Sequence, residues 1–178
     1  MPHTQPNFHN LGIEANILSM IDALKFTVPT PIQHKVIPSA IDGKDIIGIA
    51  QTGTGKTLAF GIPMVQRLGL NPGRRGLVLV PTRELALQVN DALSKITPAF
   101  KMRTTVVIGG ASMHEQLVRL KQNPHIIIAT PGRLNDHIEH QNLRLDSIGI
   151  LVLDEADRML DMGFLPQIER ILRIIPRQ

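Results

Sequence analysis

The sequence predicts an α/β fold: a parallel β-sheet with helices on both faces. Two features of the 178-residue chain predict it. Five short apolar, β-branched segments lack an alternation of period two, which is the pattern of strands buried on both faces. Between them lie amphipathic stretches of helical length, and strands separated by such helices pair in parallel through crossovers. A third feature agrees with these. The residues best suited to chemistry follow the apolar segments directly, at strand carboxyl ends, where open α/β sheets bind their ligands.

Taken in order, the chain opens with two predicted helices, Glu14 to Leu24 and Ile32 to Ile41. A first strand is predicted from Asp45 to Ile49, then a helix from Lys56 to Leu68. The segment Asn71-Pro72-Gly73-Arg74-Arg75-Gly76 reads as an exposed turn inside one domain. Strand Gly76 to Val80, helix Arg83 to Lys95 and strand Thr104 to Ile108 follow. Helix Met113 to Lys121, strand His125 to Ala129 and helix Arg133 to His140 come next. Strand Ile148 to Leu153 and a last helix near Pro166 to Ile174 complete the pattern. No internal repeat or low-complexity tract interrupts it.

Length supports one domain over 1–178, with 1–44 preceding a phosphate-binding core over 45–178. A hydrophobic content of 43% with 19% charge belongs to a globular chain, not a disordered or fibrous one. No apolar run approaches the roughly 18 residues of a membrane span. Met1-Pro2-His3-Thr4-Gln5 has neither the basic start nor the apolar stretch of a secretory leader, so an intracellular, cytoplasmic protein is expected. The absence of cysteine excludes disulfides and thiolate metal sites. Nineteen Lys and Arg against 15 Asp and Glu give a formal charge of +4, a mild bias toward polyanions that a solubilising surface would also produce. With 3% aromatics and no Trp or Tyr, base stacking is a poor basis for nucleic-acid binding. Backbone contact is the better expectation.

After the first predicted strand stands Ala50-Gln51-Thr52-Gly53-Thr54-Gly55-Lys56-Thr57. Gly53 and Gly55 let backbone N–H groups turn inward around phosphate oxygens, at the positive end of the helix that follows. Lys56 suits the β- and γ-phosphates, and the Thr57 hydroxyl suits Mg²⁺. The Walker pattern has Gly where this chain has Ala50. The run Gly-Thr-Gly-Lys-Thr arises by chance in a chain of this length on the order of once in ten thousand.

The last predicted strand ends in Asp154-Glu155-Ala156-Asp157. Asp154 suits Mg²⁺, directly or through water, and Glu155 suits orienting or deprotonating an attacking water. Alone, acids after a strand read as a helix N-terminal charge pair. Beside a phosphate loop they read as a nucleotide-hydrolysing pair.

With these residues in place, the sequence resembles the N-terminal RecA-like domain of the DEAD-box RNA helicases, a P-loop NTPase fold, from about Phe8 to the end. Phe26 and Pro29-Thr30-Pro31-Ile32-Gln33 resemble the family's Q motif, with Phe8 in the place of its upstream aromatic and Lys25 where the family has Gly. The resemblance implies that Phe8, Phe26 and Gln33 join Thr52, Gly53, Thr54, Gly55, Lys56 and Thr57 in binding ATP, with Gln33 reading the adenine edge. A side-chain amide can donate and accept at once, as adenine N6 and N7 require. Lys56, Asp154 and Glu155 are implied as the catalytic set, with Thr57 and Asp154 on Mg²⁺. Three further strand ends resemble the family's RNA grip: Pro81-Thr82-Arg83, Gly109-Gly110 and Thr130-Pro131-Gly132-Arg133. Each offers a helix N-terminus, a hydroxyl or an Arg to a phosphate, and suits contact without sequence readout. Read singly, they are a helix cap at Thr82 and turns at Gly109-Gly110 and Pro131-Gly132.

His137 and His140 flank Glu139 at helical spacing, and a solvated helix face is a better reading than a metal site. Met159, Leu160, Met162 and Phe164 are expected to pack or cap the next helix. The resemblance also implies a strand carrying Ser-Ala-Thr, and a second RecA-like domain with an arginine finger, beyond Pro176-Arg177-Gln178. The sheet would then lack a strand between the phosphate-loop strand and the acidic one. Loss of an arginine finger costs about 10³ to 10⁵ in rate, so this chain is expected to bind adenine nucleotide weakly, hydrolyse it slowly and not unwind duplexes. Two alternatives remain at this point: a DNA-directed motor of the same superfamily, and an RNA- or partner-binding module with a vestigial nucleotide site.

Overall fold

In the computed structural model residues 5–177 are described. The Met1-Pro2-His3-Thr4 start read for a leader, and Gln178 at the other end, lie outside them. The chain divides into two compact units, one of residues 1–71 with 92–101 and one of residues 72–91 with 102–178. The first division falls at the Asn71-Pro72 turn.

The first unit is helical. A 3-10 turn (Phe8–Asn10) leads into α1 (Ala15–Ala23), α2 (Pro31–Ile41) and α3 (Lys56–Leu70), with a second 3-10 turn at Thr97–Phe100. α2 packs along α3. Ile17, Ile21, Ile37, Ile62, Met64, Val65, Leu93 and Ile96 are fully or almost fully buried, giving each helix an apolar inner face. Burying a Leu, Ile or Val side chain contributes about 1.5–3 kcal/mol, so this face holds the unit together. Gln66 is also buried, accepting from the backbone N–H of Glu14 and donating to the carbonyl of Gly12. It thereby ties the residues before α1 to α3.

The expected strand Asp45 to Ile49 is not formed. Residues 44–50 have no regular structure, and Ile47 and Ile49 are 95% and 93% exposed. A strand is defined by its ladder partners, and an extended segment without them leaves its backbone groups to water. The apolar composition of the segment was therefore insufficient to make it a strand.

The second unit carries the sheet: β1 (Arg75–Leu79), β2 (Thr104–Val107), β3 (Ile126–Ala129) and β4 (Ile148–Leu153), all parallel, in the order β2-β3-β1-β4. β1 and β3 are central, and Leu77, Val78, Leu79, Ile126, Ile127 and Ile128 are fully buried, which accounts for their unbroken apolar sequence. Helices α4 (Arg83–Ser94), α5 (Met113–Lys121), α6 (Pro131–Glu139), α7 (Ala156–Asp161) and α8 (Leu165–Ile174) alternate with the strands. α4 runs across the division at Asp91. Leu134, Met159, Ile168 and Ile171 join the β-strand residues Leu77, Leu79, Val107 and Ile127 in one core. Six of the expected helices differ from those observed by a residue or two at their ends, whereas α5 and β4 have the predicted bounds. The short α7 was not foreseen. Met159 is buried and Leu160 and Met162 are half exposed, so the apolar run after the acids is divided between core and surface.

Candidate functional site

In the first unit, the N-terminus of α2 is built by a capping box. Thr30 Oγ1 accepts from the Gln33 N–H, and Gln33 Oε1 accepts from the Thr30 N–H at 2.9 Å. Pro31 occupies the first helical turn, where its missing N–H costs nothing. The Gln33 amide is buried and its Nε2 donates to the Gly55 carbonyl at 3.1 Å. The side chain thus ties the start of α2 to the end of the glycine loop. Gly55 caps α3 with φ +82, and a Cβ there would stand 2.5 Å from Gln33 Nε2 and 3.0 Å from Thr30 Oγ1. Both the left-handed backbone and the close amide require glycine. Lys56 and Thr57 follow as the first residues of α3, half-buried, and the Thr54 hydroxyl donates to the Gln51 carbonyl inside the loop.

The two aromatics expected near the nucleotide differ. Phe26 is 44% exposed, whereas Phe8 is buried and belongs to the core of the unit. A buried ring offers no face to a ligand, so Phe8 can act only from beneath. Lys25 has φ +61, a conformation that glycine adopts without strain, so the glycine that the resemblance implies there would suit this turn.

The second unit brings the other predicted residues to one edge of its sheet. β1, β3 and β2 are neighbours, and each ends at a predicted motif. After β1, Thr82 caps α4: its Oγ1 accepts from the Leu85 N–H at 3.2 Å. After β2, Gly110 has φ +73, and the exposed Arg83 guanidinium lies over it, 2.3 Å from where a Cβ would be. After β3, Thr130 caps α6 without a side-chain cap bond, and Pro131 opens the helix. Arg133 Nη1 donates to the Ala111 carbonyl at 2.8 Å and to Gln116 Oε1 at 3.3 Å, and its Nε lies 3.7 Å from Asp136. The three strand ends are therefore connected by two arginines, Arg83 over Gly110 and Arg133 to Ala111.

β4 delivers the acids. The Asp154 N–H donates to the Leu79 carbonyl at 3.0 Å, which prolongs the ladder by one residue, and the side chain is buried. Glu155 turns the chain into α7 with φ +54 and ψ +49, and its carboxylate meets Arg158 Nη1 at 3.1 Å. A non-glycine residue in this region stores strain. The glycine loop with Lys56 and Thr57 belongs to the first unit, and Asp154 and Glu155 belong to the second.

His137 was misread from sequence as part of a solvated face. It is fully buried, with Nε2 3.0 Å from Gln116 Oε1 and Nδ1 3.2 Å from Asn142 Nδ2, while His140 is exposed as expected. Its burial and the positive charge of Arg133 hold its pKa below the ordinary histidine value. The signal that would have placed it inward is Leu134, three residues earlier on the same helical stripe. Among the described residues no group of three or more His, Asp or Glu could hold a metal ion, and no helix is long and apolar enough to cross a membrane.

Comparison with known proteins places these features in a family. The DEAD/DEAH box helicase profile matches residues 30–178. ATP-dependent rRNA helicase RRP3 of Yarrowia lipolytica is 50% identical over 173 residues, covering 96% of this chain and 36% of its own. ATP-dependent RNA helicase CshA of Listeria monocytogenes is 45% identical, covering 96% of this chain and 33% of its own. The chain thus spans about a third of the length of these relatives. Among solved structures, a DEAD box protein from Methanococcus jannaschii superposes with a TM-score of 0.90 at 39% identity, covering 96% of this chain and 47% of that one. The yeast DEAD-box splicing factor Prp28 gives 0.87 at 36% identity, covering 94% and 42%. With the RecA-like sheet, the glycine loop and the Asp-Glu-Ala-Asp strand end already described, the chain belongs to the DEAD/DEAH box helicase family.

Proposed function

We propose that this chain binds ATP through residues 52–57, Gln33 and Phe26, carries in Asp154 and Glu155 the acids for its hydrolysis with Mg²⁺, and grips an RNA backbone at the ends of β1, β2 and β3. As part of a longer protein it would serve as the nucleotide-binding half of an ATP-dependent RNA helicase that remodels short duplexes, completed by a second RecA-like domain. The observation that carries this reading is the loop-to-helix junction at Gly55. The first N–H groups of α3 have no intrahelical partner, and the helix dipole adds positive potential there. At Gly53 nothing lies within 4 Å of where a Cβ would stand, which leaves room for phosphate oxygens.

In this reading Lys56 balances the charge of the outer phosphates, and Thr57 and Asp154 are each suited to magnesium, which neutralises phosphate charge when bound. Glu155 orients or deprotonates the attacking water. Gln33 retains one amide N–H and one oxygen lone pair after its contacts with Gly55 and Thr30, and these suit adenine N7 and N6 respectively. Phe26 offers a partly exposed ring, with Phe8 supporting from the core. For RNA, Thr82, Arg83, Gly109, Gly110, Thr130, Pro131, Gly132 and Arg133 supply N–H groups, hydroxyls and guanidinium charge, but no set of groups arranged to read bases.

The test is calorimetric titration of the chain with ATP and Mg²⁺, repeated on Lys56→Ala. The variant is expected to bind at least tenfold more weakly, on the scale of a lost charge-assisted contact. Equal affinity of the two proteins would overturn the nucleotide reading in favour of a vestigial site.

A further inference from the structure

The buried network around His137 touches the proposed RNA face at two points. Gln116 Nε2 donates to the Ile108 carbonyl at 2.7 Å, the residue just before Gly109-Gly110. A carbonyl can only accept, so this bond fixes which end of the Gln116 amide is nitrogen. Gln116 Oε1 is thereby turned toward His137 Nε2 and Arg133 Nη1, at 3.0 and 3.3 Å. An oxygen acceptor requires His137 to carry its proton on Nε2. Its Nδ1 is then a lone pair, matched by the Asn142 amide donor at 3.2 Å. Every partner agrees on one neutral tautomer. Arg133, with its amide contact fixed in this way, also donates to the Ala111 carbonyl at the far end of the turn.

We propose that His137, neutral and protonated on Nε2, is a positioning residue of the RNA-backbone face: it locks the Gln116 amide, which in turn holds Arg133 and the Ile108 to Ala111 turn. The role rests on the RNA reading given above. Without the Nε2–H donor, Gln116 Oε1 keeps only the longer Arg133 contact, and the amide is held by that contact and the Ile108 carbonyl alone. The common anchor of the turn and the guanidinium is then less firmly held. Protonation has the same effect by another route, because an Nδ1–H would face the Asn142 donor and a second positive charge would stand by Arg133. The charged or titratable groups acting on the ring are Arg133 and Asp136 on α6 and His140 just after it. From α5 it meets the neutral amide of Gln116, and from the segment after α6 that of Asn142.

The experiment uses the 178-residue chain and a fluorescein-labelled oligouridylate, with binding read by anisotropy at fixed salt. His137→Leu and Gln116→Leu are each expected to weaken binding about three- to tenfold, and the double variant no further, because both act through one network. Nitrogen-15 spectra of the wild-type imidazole should show the Nε2–H tautomer, titrating below the ordinary histidine range. Gln116→Glu should raise that titration, since a carboxylate favours the imidazolium. An imidazole that titrates ordinarily with mixed tautomers overturns the proposal without need of any variant. RNA binding unchanged in both single variants, or additive losses in the double variant, overturns the positioning role alone. No RNA binding by the wild type overturns the RNA reading and this role with it.

Discussion

The guanidinium of Arg83 lies so close over Gly110 that a methyl group on that glycine would stand 2.3 Å from Nη1. The atom in the way is the free end of a flexible side chain, so Gly110→Ala is expected to displace Arg83 and leave the sheet intact. The backbone at φ +73 adds about 1 kcal/mol of left-handed strain. Stability should fall by roughly that amount in urea denaturation. RNA affinity should fall as far as it does in Arg83→Ala, with the slope of log K against log salt reduced by about 0.7 for one lost phosphate contact. A Gly110→Ala protein with an unchanged salt slope would show that Arg83 does not meet phosphate.

Gln33 joins two functions in one buried amide, capping α2 and fastening Gly55. Gln33→Glu keeps an oxygen for the Thr30 N–H but sets a second acceptor against the Gly55 carbonyl, now 3.1 Å from a donor. The repulsion is expected to cost about 1–3 kcal/mol, the range for an unsatisfied buried group. It should loosen the glycine loop where phosphate is proposed to bind. Thermal denaturation reads the first effect and calorimetry with ATP and Mg²⁺ the second. If stability falls while nucleotide affinity does not, the loop is held by other contacts.

These two side chains mark what was and was not legible in the sequence. Local signals were reliable: the unbroken apolar runs of β1 and β3 and the bounds of α5 and β4 follow from spacing alone. Pairing was not legible. Residues 45–49 are as apolar as β1, yet a strand needs a neighbour that composition does not name. Nor was direction legible for a polar residue on an amphipathic helix. His137 was taken for surface by its chemistry, while Leu134 and the donors and acceptors of Gln116 and Asn142 decide that it faces inward. The resemblance supplied residue roles that no spacing rule contains.

Two histidines make stability depend on pH in the same direction. His125 accepts the Arg103 N–H on Nδ1 at 3.0 Å, and burial, then Arg103 and Arg75, hold its pKa below the ordinary value of 6.5. His137 is lowered by burial, then by Arg133, with Asp136 opposing and His140 adding. A depressed folded pKa means that the unfolded chain takes up protons first as pH falls. The contribution is therefore full above about pH 7 and declines as pH drops below the unfolded value near 6.5. The melting temperature should fall between about pH 7 and pH 5.5, a window above most carboxylate titrations. The double variant His125→Gln, His137→Leu should show a shallower fall. An equally steep fall would assign the dependence to other groups.

Glu155 combines a proposed catalytic carboxylate with a left-handed backbone, φ +54 and ψ +49, at the turn from β4 into α7. The two properties can be separated by substitution. Glu155→Ala and Glu155→Gly both remove the carboxylate and its 3.1 Å contact with Arg158, so any difference between them reports the backbone. At an ordinary position Ala would be the more stable, because glycine gains more entropy on unfolding. At this one the order should invert, with Glu155→Gly more stable than Glu155→Ala by about 1 kcal/mol, read from urea midpoints at equal slope. Both variants should lose hydrolysis about equally, by roughly 10² to 10⁴, when joined to the remainder of a helicase. Inverted stability with equal loss of activity would show that the strain belongs to the turn and the chemistry to the carboxylate. If Glu155→Ala proved the more stable, the strand-to-helix turn would have to relax to an ordinary conformation, and the carboxylate would not be held where the turn now directs it.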